Sequence, residues 1–477
     1  MKRFILFCVL FFAIKVSYTQ ESMGIANSNY APTQSVHLNP SSIVDSKVWL
    51  DINLVGMGAY VYNNYFYFPQ ASAWTRPFPE GLDHYKLGNV YRGDVNVDVW
   101  GPGFTLNLGR HAIGLNTAVR SFTDATRIPA PIAKFIFEGL KYAPQHDIEF
   151  SDKDFKTTSL TLGEIGLSYA AIISRERKNL FTGGLTVKYL SGINSIALDV
   201  ESINYNVQND SNLYLRPING KYGIAEPGFG AGQGWSVDVG FTFKKMLDDV
   251  GSYVPFSSMS DCSVKDYRYK LGISVMDIGN IKFKKNSVYQ EYHNTSNAWL
   301  GYDTASFTNL GSVDQNLSSN FYGTSPTNIR ATSFTTWLPS YASIQFDYNF
   351  GNHFFANLTA IQGFRIQAPF GVHRRSTIAI TPRYERRRWE ISLPVSLHDF
   401  RKIQPGVMLR INNLIIGTDN IIPLIIKTNM NAADIYFNLK IPFFKNPKCG
   451  GGGKKHKKGK KGKSGKKGHD DTCPAYQ

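Results

Sequence analysis

Most of the chain consists of segments in which apolar and polar residues alternate one by one. The segment 389–397 shows this most plainly, because every odd position is apolar: Trp389, Ile391, Leu393, Val395 and Leu397. A period of two places successive side chains on opposite faces of a β-strand, so each segment has one apolar and one polar face. About fourteen to sixteen such segments lie between Lys47 and Phe444. The pattern predicts an all-β protein.

Two all-β architectures produce this alternation. In a soluble sandwich the apolar faces pack inward, whereas in a transmembrane antiparallel β-barrel they contact lipid and the polar faces line the lumen. The barrel is favoured because the pattern continues without the signature of a second domain. It is also favoured because ionisable residues stand in mid-strand, as expected for a wet lumen. Aromatic residues cluster near strand ends, as in interfacial girdles, at 60–67, 354–355 and 443–444.

The last strand adds a further indication of a barrel. Its apolar residues fall on one face and the run closes on two phenylalanines: Ile435, Phe437, Leu439, Ile441, Phe443 and Phe444. An aromatic residue at the end of the last strand resembles the signal by which the barrel-assembly machinery recognises its clients. Here the aromatic pair stands before the tail 445–477 rather than at the terminus.

The connections between segments have two lengths. Tight turns are predicted near 109–111, 174–178, 351–353, 386–388 and 412–413. Long connections are predicted near 63–90, 122–156, 208–231, 247–264 and 282–335. Short turns at one end and long loops at the other are typical of bacterial barrels, whose long loops lie outside the cell.

One connection, 130–142, has helical rather than strand spacing. Its apolar residues lie on one helical face, after two prolines that favour a helix start: Ile132, Phe135, Ile136 and Leu140. This pattern has two interpretations, a hydrophobic lip that receives an apolar ligand or a loop helix that packs on the barrel rim.

The first residues predict export. Lys2 and Arg3 precede an apolar run over 4–16, and small and polar residues follow it. This is the layout of a secretory signal peptide, residues 1–19, with cleavage after Thr19. The alternative, an uncleaved anchor helix, is disfavoured because a membrane-spanning helix needs about 20 apolar residues. No later stretch is apolar enough to be such a helix, so the exported protein is soluble or a barrel, and the barrel places it in the outer membrane of a Gram-negative cell.

The positive charge belongs mostly to a tail. The formal net charge is +16, of which the eleven lysines and two aspartates of 445–477 supply +9 and the signal peptide +3. The remaining +4 on 20–444 excludes a nucleic-acid-binding face as the source of the charge. The Lys/Gly-rich tail, with its run Lys454–Lys467, is predicted to be disordered. It either binds phosphate headgroups, peptidoglycan or an acidic envelope protein in the periplasm, or it is a solvated spacer.

Nothing in the sequence indicates catalysis, a cofactor or a metal centre. The ten histidines show no zinc spacing, and no nucleophile elbow is present. The Gly-rich run 228–234 enters a strand rather than a helix, which favours a loop hinge over a phosphate loop. The few cysteines exclude a disulfide framework. Cys449 and Cys473 bracket the tail and either form a disulfide or stay free thiols.

An arginine group lies between 374 and 388: Arg374, Arg375, Arg383, Arg386, Arg387 and Arg388. At the outer rim, forked guanidinium donors would bind lipopolysaccharide phosphates. The alternative is a polar turn combined with charges that face the lumen, and this alternative is favoured.

The N-terminus carries a resemblance. The segment from Ala31 through Leu38-Asn39-Pro40-Ser41-Ser42 leads into Trp49-Leu50-Asp51-Ile52-Asn53. It resembles the Asn-Pro-Ala/Ser box ahead of the first strand in FadL-type fatty-acid transporters and PorV-type outer-membrane proteins. The chain looks more like a Bacteroidota outer-membrane barrel family of unknown function, over about 23–444. Similar segments recur at 269–279 and 337–340, Ser41 replaces the commoner Ala, and the Lys-rich tail departs from the FadL pattern.

The resemblance implies a fourteen-stranded barrel, residues 47–444, whose lumen is plugged by an N-terminal hatch, residues 20–46. It makes Asn39, Pro40 and Ser41 candidate site residues of that hatch. The resulting hypothesis is a non-enzymatic barrel in contact with outer-membrane lipid that passes or holds a small hydrophobic ligand. The alternative is a structural or accessory component of a secretion or gliding machine, docked through its periplasmic tail.

Overall fold

The computed structural model describes residues 22–71, 82–84, 88, 90–256, 265–302, 312, 314–316, 319, 328–366 and 369–444. The predicted signal peptide and the tail with Cys449 and Cys473 lie outside these residues. None of the helices described is both long and apolar enough to cross a membrane.

Fourteen antiparallel strands form one closed sheet in the described part of the chain. In chain order they are β1 (Leu50–Asn63), β2 (Val90–Trp100 and Gly103–Asn107), β3 (His111–Pro129), β4 (Glu149–Glu176), β5 (Asn179–Val207), β6 (Asn212–Ala225 and Gly232–Met246), β7 (Tyr267–Phe283 and Ser287–Leu300), β8 (Ile329–Ala331, Phe334–Trp337 and Tyr341–Gly351), β9 (Phe354–Gly363), β10 (Thr377–Glu385), β11 (Trp389–Ser392 and Val395–His398), β12 (Lys402–Pro405 and Val407–Ile411), β13 (Leu414–Thr418) and β14 (Ala432–Phe443). Each strand pairs with the next, and β14 pairs with β1 from Phe443↔Leu50 to Ala432↔Tyr62, which closes the barrel.

The other described elements are short. The helices are α1 (Pro32–Ser35), α2 (Ala130–Glu138) and α3 (Ile422–Ile425), with 3₁₀ turns at Pro40–Ile43 and Ala143–Gln145. Phe66–Ala71 pairs with Asp83–His84 and with Thr428–Met430 beside the end of β1, and Phe370–Gly371 lies parallel to part of β8.

The wall strands present apolar side chains outward and polar side chains inward. In β4, Ile165 and Leu167 are 53% and 66% exposed, whereas Glu164 and Ser168 are buried. An apolar belt on the outside of a closed antiparallel sheet is the surface that a lipid bilayer covers. The structure therefore confirms the predicted all-β transmembrane barrel and rejects the soluble sandwich.

The two ends of the barrel differ in most of their connections, although 208–211 and 399–401 are short turns at the end where the other connections are long. Tight turns join strands at the end where β1 begins and β14 ends, near 108–110, 177–178, 352–353, 386–388 and 412–413, as predicted. The connection 247–266 lies at this same end, although it is long. The expected long connection 208–231 is wrong, because Asn212–Ala225 is the first half of β6. Likewise, much of 282–335 is strand, since β7 continues to Leu300.

The predicted hatch segment lies inside the barrel in its described part, 22–46. Its buried side chains form hydrogen bonds with inward-facing residues on distant strands. Thr33 donates to Asp51 of β1 at 2.7 Å, and Ser28 donates to Glu390 of β11 at 2.7 Å. The mid-strand ionisable groups face inward, but hatch atoms and opposite charges surround them.

Candidate functional site

Three glycines on adjacent strands make room for the Asn-Pro-Ser box. A Cβ atom at Gly184 of β5 would lie 2.5 Å from the Pro40 carbonyl carbon and the Ser41 nitrogen. Added Cβ atoms at Gly240 of β6 and Gly272 of β7 would come within 3.0 Å of the Asn39 side chain. The hatch approaches the wall closely here because these positions have no side chain.

The polar atoms of the box bind the hatch to the wall. The side-chain oxygen Oδ1 of Asn39 accepts from the Ser41 backbone amide at 3.0 Å and from the Ser41 hydroxyl at 2.7 Å, which caps the 3₁₀ turn. The Asn39 amide donates to Gln345 at 3.0 Å, and the hydroxyls of Ser41 and Thr242 lie 2.7 Å apart. Ser41 thus makes hydrogen bonds that the commoner Ala would lack. Ligand binding by this box stays a prediction, since its hydrogen bonds join hatch and wall.

Two buried ion pairs contact the hatch, one through Asp45 of the hatch itself and one within the wall beside Tyr30 and Thr33. Asp45 accepts from Lys244 of β6 at 2.8 Å and from the Tyr253 hydroxyl at 2.7 Å. Nearer the barrel seam, Lys440 of β14 lies 3.1 Å from Asp51 of β1. These contacts hold the segment across the lumen rather than along one side.

Six charged side chains form a buried network on the inner face of the wall, beside the hatch. Arg120 lies 3.0–3.2 Å from three carboxylates, and Lys188 lies 2.7–2.8 Å from two, with one carboxylate shared. Each group comes from a different one of six consecutive strands, β2 to β7: Asp98, Arg120, Glu164, Lys188, Asp238 and Asp277. The alternating pattern predicts that these residues face inward, but only the register of the strands brings them together.

A cavity lies between the hatch and this part of the wall. It contains about 1100 Å³ of space free of protein atoms, part of it open to solvent. The wall contributes aromatic, polar and charged side chains, and the hatch contributes both apolar and polar residues: Ser22, Ile25, Ala26, Thr33, Gln34, Val36, His37 and Leu38. The His37 ring is 5.8 Å from the ring of Trp100. Burial lowers the pKa of His37 to about 4, so its imidazole is neutral at pH 7.

The cavity reaches an interruption in the wall. Strand β2 breaks at Gly101 and Pro102, and Asn53 of β1 donates to the Gly101 carbonyl at 2.7 Å. Pro102 has no amide to donate, so the ladder is irregular here, although the Gly101 amide still donates to the Thr117 carbonyl of β3 at 2.8 Å. Phe104 and Leu115 also line the cavity, although their sequence neighbours face inward and the alternation directs these two outward.

The helix α2 packs on the part of the wall that extends beyond the apolar outer surface. Strands β4 and β5 have 28 and 29 residues, far more than the roughly 10 needed to cross a bilayer. Phe135 is buried, with ring centroids 6.3 Å from Phe150 and 6.5 Å from Tyr205.

The other residues predicted to lie on the apolar face of this helix differ in burial. Ile132 and Leu140 are half-buried against the same cluster, although Leu140 lies beyond the helix end at Glu138. Ile136 is 58% exposed. This is the geometry of a rim-packed helix, and the ligand-receiving lip stays a prediction.

The arginine group divides between lumen and turn. Arg375 pairs with Asp94 at 2.7 Å, and Arg383 pairs with Asp347 at 2.7 Å, both in the lumen. The turn 386–388 lies at the tight-turn end of the barrel, where β1 begins. The favoured alternative, a polar turn combined with lumen-facing charges, matches this placement.

In the described part of the chain, no three His, Cys, Asp or Glu side chains are placed to hold a metal ion. Residues 40–419 match the model of a protein family described as a family of unknown function (DUF5723), and the chain belongs to this family. No curated protein matches the chain.

Several solved barrels resemble it weakly. A FadL homologue from Pseudomonas aeruginosa is 10% identical, with a TM-score of 0.39 over 90% of this chain and 99% of that one. The TodX deltaS2S3 mutant, a monoaromatic hydrocarbon channel, is 8% identical, with a TM-score of 0.44 over 90% and 98%. The CymD monoaromatic hydrocarbon channel is 8% identical, with a TM-score of 0.31 over 89% and 97%. At these values no property of those proteins is transferred to this chain.

Proposed function

We propose that this member of the DUF5723 family is a non-enzymatic outer-membrane barrel that passes or holds a small hydrophobic ligand. The observation that carries the proposal is the cavity of about 1100 Å³ between the hatch and the wall. Small-molecule sites in proteins are mostly apolar and hold a few placed polar groups. The apolar residues Ile25, Val36 and Leu38 give the hatch side of the cavity that character.

The ligand binds beside the hatch rather than in an open pore. Hydrogen bonds to widely separated strands hold the described part of the hatch inside the lumen. The interruption of β2 at Gly101 and Pro102 adjoins the cavity. It offers an apolar ligand a route between the cavity and the bilayer that does not require the hatch to leave.

A cavity-filling substitution tests this function. The full chain, in detergent, is titrated with the fluorescent apolar probe N-phenyl-1-naphthylamine. Ala26→Phe and Leu38→Phe enlarge side chains that line the cavity, and we expect each to weaken saturable probe binding by about tenfold or more. Ala433→Phe, on the outward face of β14, is the matched control and should bind as the parent does.

Heat-modifiable gel migration establishes that each variant is folded before it is compared. Absence of saturable probe binding by the folded parent would reject the function. Equal loss in the Ala433→Phe control would show that the probe reports on the outer surface instead of the cavity.

The alternative is an accessory role in an envelope machine, docked through the run Lys454–Lys467. It is favoured by the position of Phe443, because β14 ends there at the tight-turn end, where β1 begins. Deleting 445–477 should leave probe binding intact and abolish capture of an envelope partner by the full chain. Unchanged capture by the shortened chain would exclude tail docking. The Bacteroidota source and the PorV-type likeness stay predictions.

A further inference from the structure

The cavity contains a buried amide with no protein partner. Asn438 of β14 is 3% exposed and lines the cavity. Neither its amide nitrogen nor its carbonyl oxygen has a hydrogen-bond partner within the protein. Burying a polar group without a partner costs about 1–3 kcal/mol, so such a group on the lining of a cavity indicates a binding contact.

The wall around Asn438 leaves room for this buried amide beside an aromatic ring at the edge of the cavity. Asn438 lies opposite Gly56 of β1, and Gly56 lies opposite Trp100 of β2. A Cβ atom at Gly56 would overlap the Asn438 amide nitrogen and would lie 3.0 Å from the Trp100 ring. Glycine at this position therefore leaves the amide its place beside the aromatic ring, on the wall that faces His37 of the hatch.

The charges beside the cavity disfavour an anionic head group. Arg120 and Lys188 are the cations of the network of six charged side chains, and both are already paired with its four carboxylates. Arg374, a third lining cation, stacks at 3.9 Å over the Tyr341 ring and acts electrostatically on Asp98. A carboxylate entering here would lose its hydration and meet cations that are already neutralised.

We infer that the cavity selects an amphiphile with an uncharged head group that both donates and accepts hydrogen bonds, as a primary amide does. The Asn438 amide would donate to the head group's carbonyl and accept from its N–H, while the apolar hatch residues contact the chain. This inference rests on the proposed function, since it names the ligand class of the same cavity.

The test compares head groups on one apolar chain. Dodecanamide, dodecanoate and dodecylamine each displace N-phenyl-1-naphthylamine from the detergent-solubilised full chain. We expect dodecanamide to compete at a concentration about tenfold or more below that needed for dodecanoate or dodecylamine. Asn438→Leu should remove this advantage, because it deletes both amide atoms at nearly constant volume.

Gln404→Leu is the matched control. Gln404 is also a buried amide without a protein partner, but it lies on β12 and does not line the cavity. This variant should keep the preference for dodecanamide. Asn438→Asp is the second variant, and its new carboxylate should shift the preference toward dodecylamine.

The outcomes separate the inference from the function on which it rests. If probe binding is saturable but dodecanoate competes as well as dodecanamide, the inference is overturned and the proposed function stands. Retention of the amide preference in folded Asn438→Leu also overturns it, as does a parent that prefers dodecylamine. If none of the compounds displaces the probe, both fail.

Discussion

The ion pair at the barrel seam should be a main determinant of stability. Lys440 of β14 and Asp51 of β1 are fully buried and 3.1 Å apart, and Lys440 also donates to the Tyr30 carbonyl of the hatch. Asp51 accepts a second hydrogen bond from Thr33 of the hatch. Replacing Lys440 with Met keeps the length of the side chain but leaves the Asp51 carboxylate buried without a cation.

The size of the effect follows from this burial. Removing one partner of a buried ion pair costs about 3–5 kcal/mol, because the remaining charge is neither hydrated nor paired. Replacing both charges removes that penalty, so Asp51→Asn with Lys440→Met should recover most of the loss. An exposed pair provides the contrast: Arg127 and Asp154 are 3.6 Å apart and more than half exposed, and such pairs contribute less than about 1 kcal/mol.

The measurement is the free energy of unfolding in urea, followed by tryptophan fluorescence in lipid vesicles. We expect Lys440→Met to be less stable than the parent by about 3–5 kcal/mol, and Asp154→Asn to differ by less than about 1 kcal/mol. The reasoning is refuted if Lys440→Met is as stable as Asp154→Asn. It is also refuted if the double variant is as unstable as Lys440→Met alone.

Three further results are expected. Gly184→Val should displace the hatch, because its Cβ would overlap the Pro40–Ser41 peptide, and should raise ion conductance in planar bilayers above that of the parent; unchanged conductance would contradict this. Because burial places the pKa of His37 at about 4, below its usual 6.5, the unfolded state binds more protons between these values. Hatch protection against hydrogen exchange should fall as the pH is lowered through this window, and His37→Gln should reduce the slope; equal slopes would contradict the assignment. Phe135→Ala should cost about 3–5 kcal/mol of local stability and speed proteolysis of 130–142, whereas exposed Ile136→Ala should not; similar cleavage rates would contradict the packing of α2.

The sequence predicted strands best where each strand has one lipid-facing side. In β4, Ile165, Leu167 and Tyr169 alternate with inward residues, and the period of two is plain. The first half of β6, Asn212–Ala225, was expected to be a loop. It belongs to the long strands that continue beyond the membrane belt, where polar residues appear on both faces and the alternation weakens.

The candidate site was predicted only in part. The resemblance identified Asn39, Pro40 and Ser41, but not the glycines against which they pack. A glycine in a strand can have several structural roles, and the sequence does not show which one applies. The cavity and Asn438 were missed. An inward-facing asparagine gives no indication in the sequence of whether it has a hydrogen-bond partner.

The sequence by itself determined which face of each strand is apolar, because side-chain alternation is a local property of the backbone, and it favoured a barrel over a sandwich. Only the tertiary structure decided what fills the lumen. Asn39 meets Gln345 across 306 positions of the chain, and Lys188 meets Asp277 across 89. Such partners are selected by strand register and by closure of the sheet, and neither is encoded in the spacing of residues along one strand.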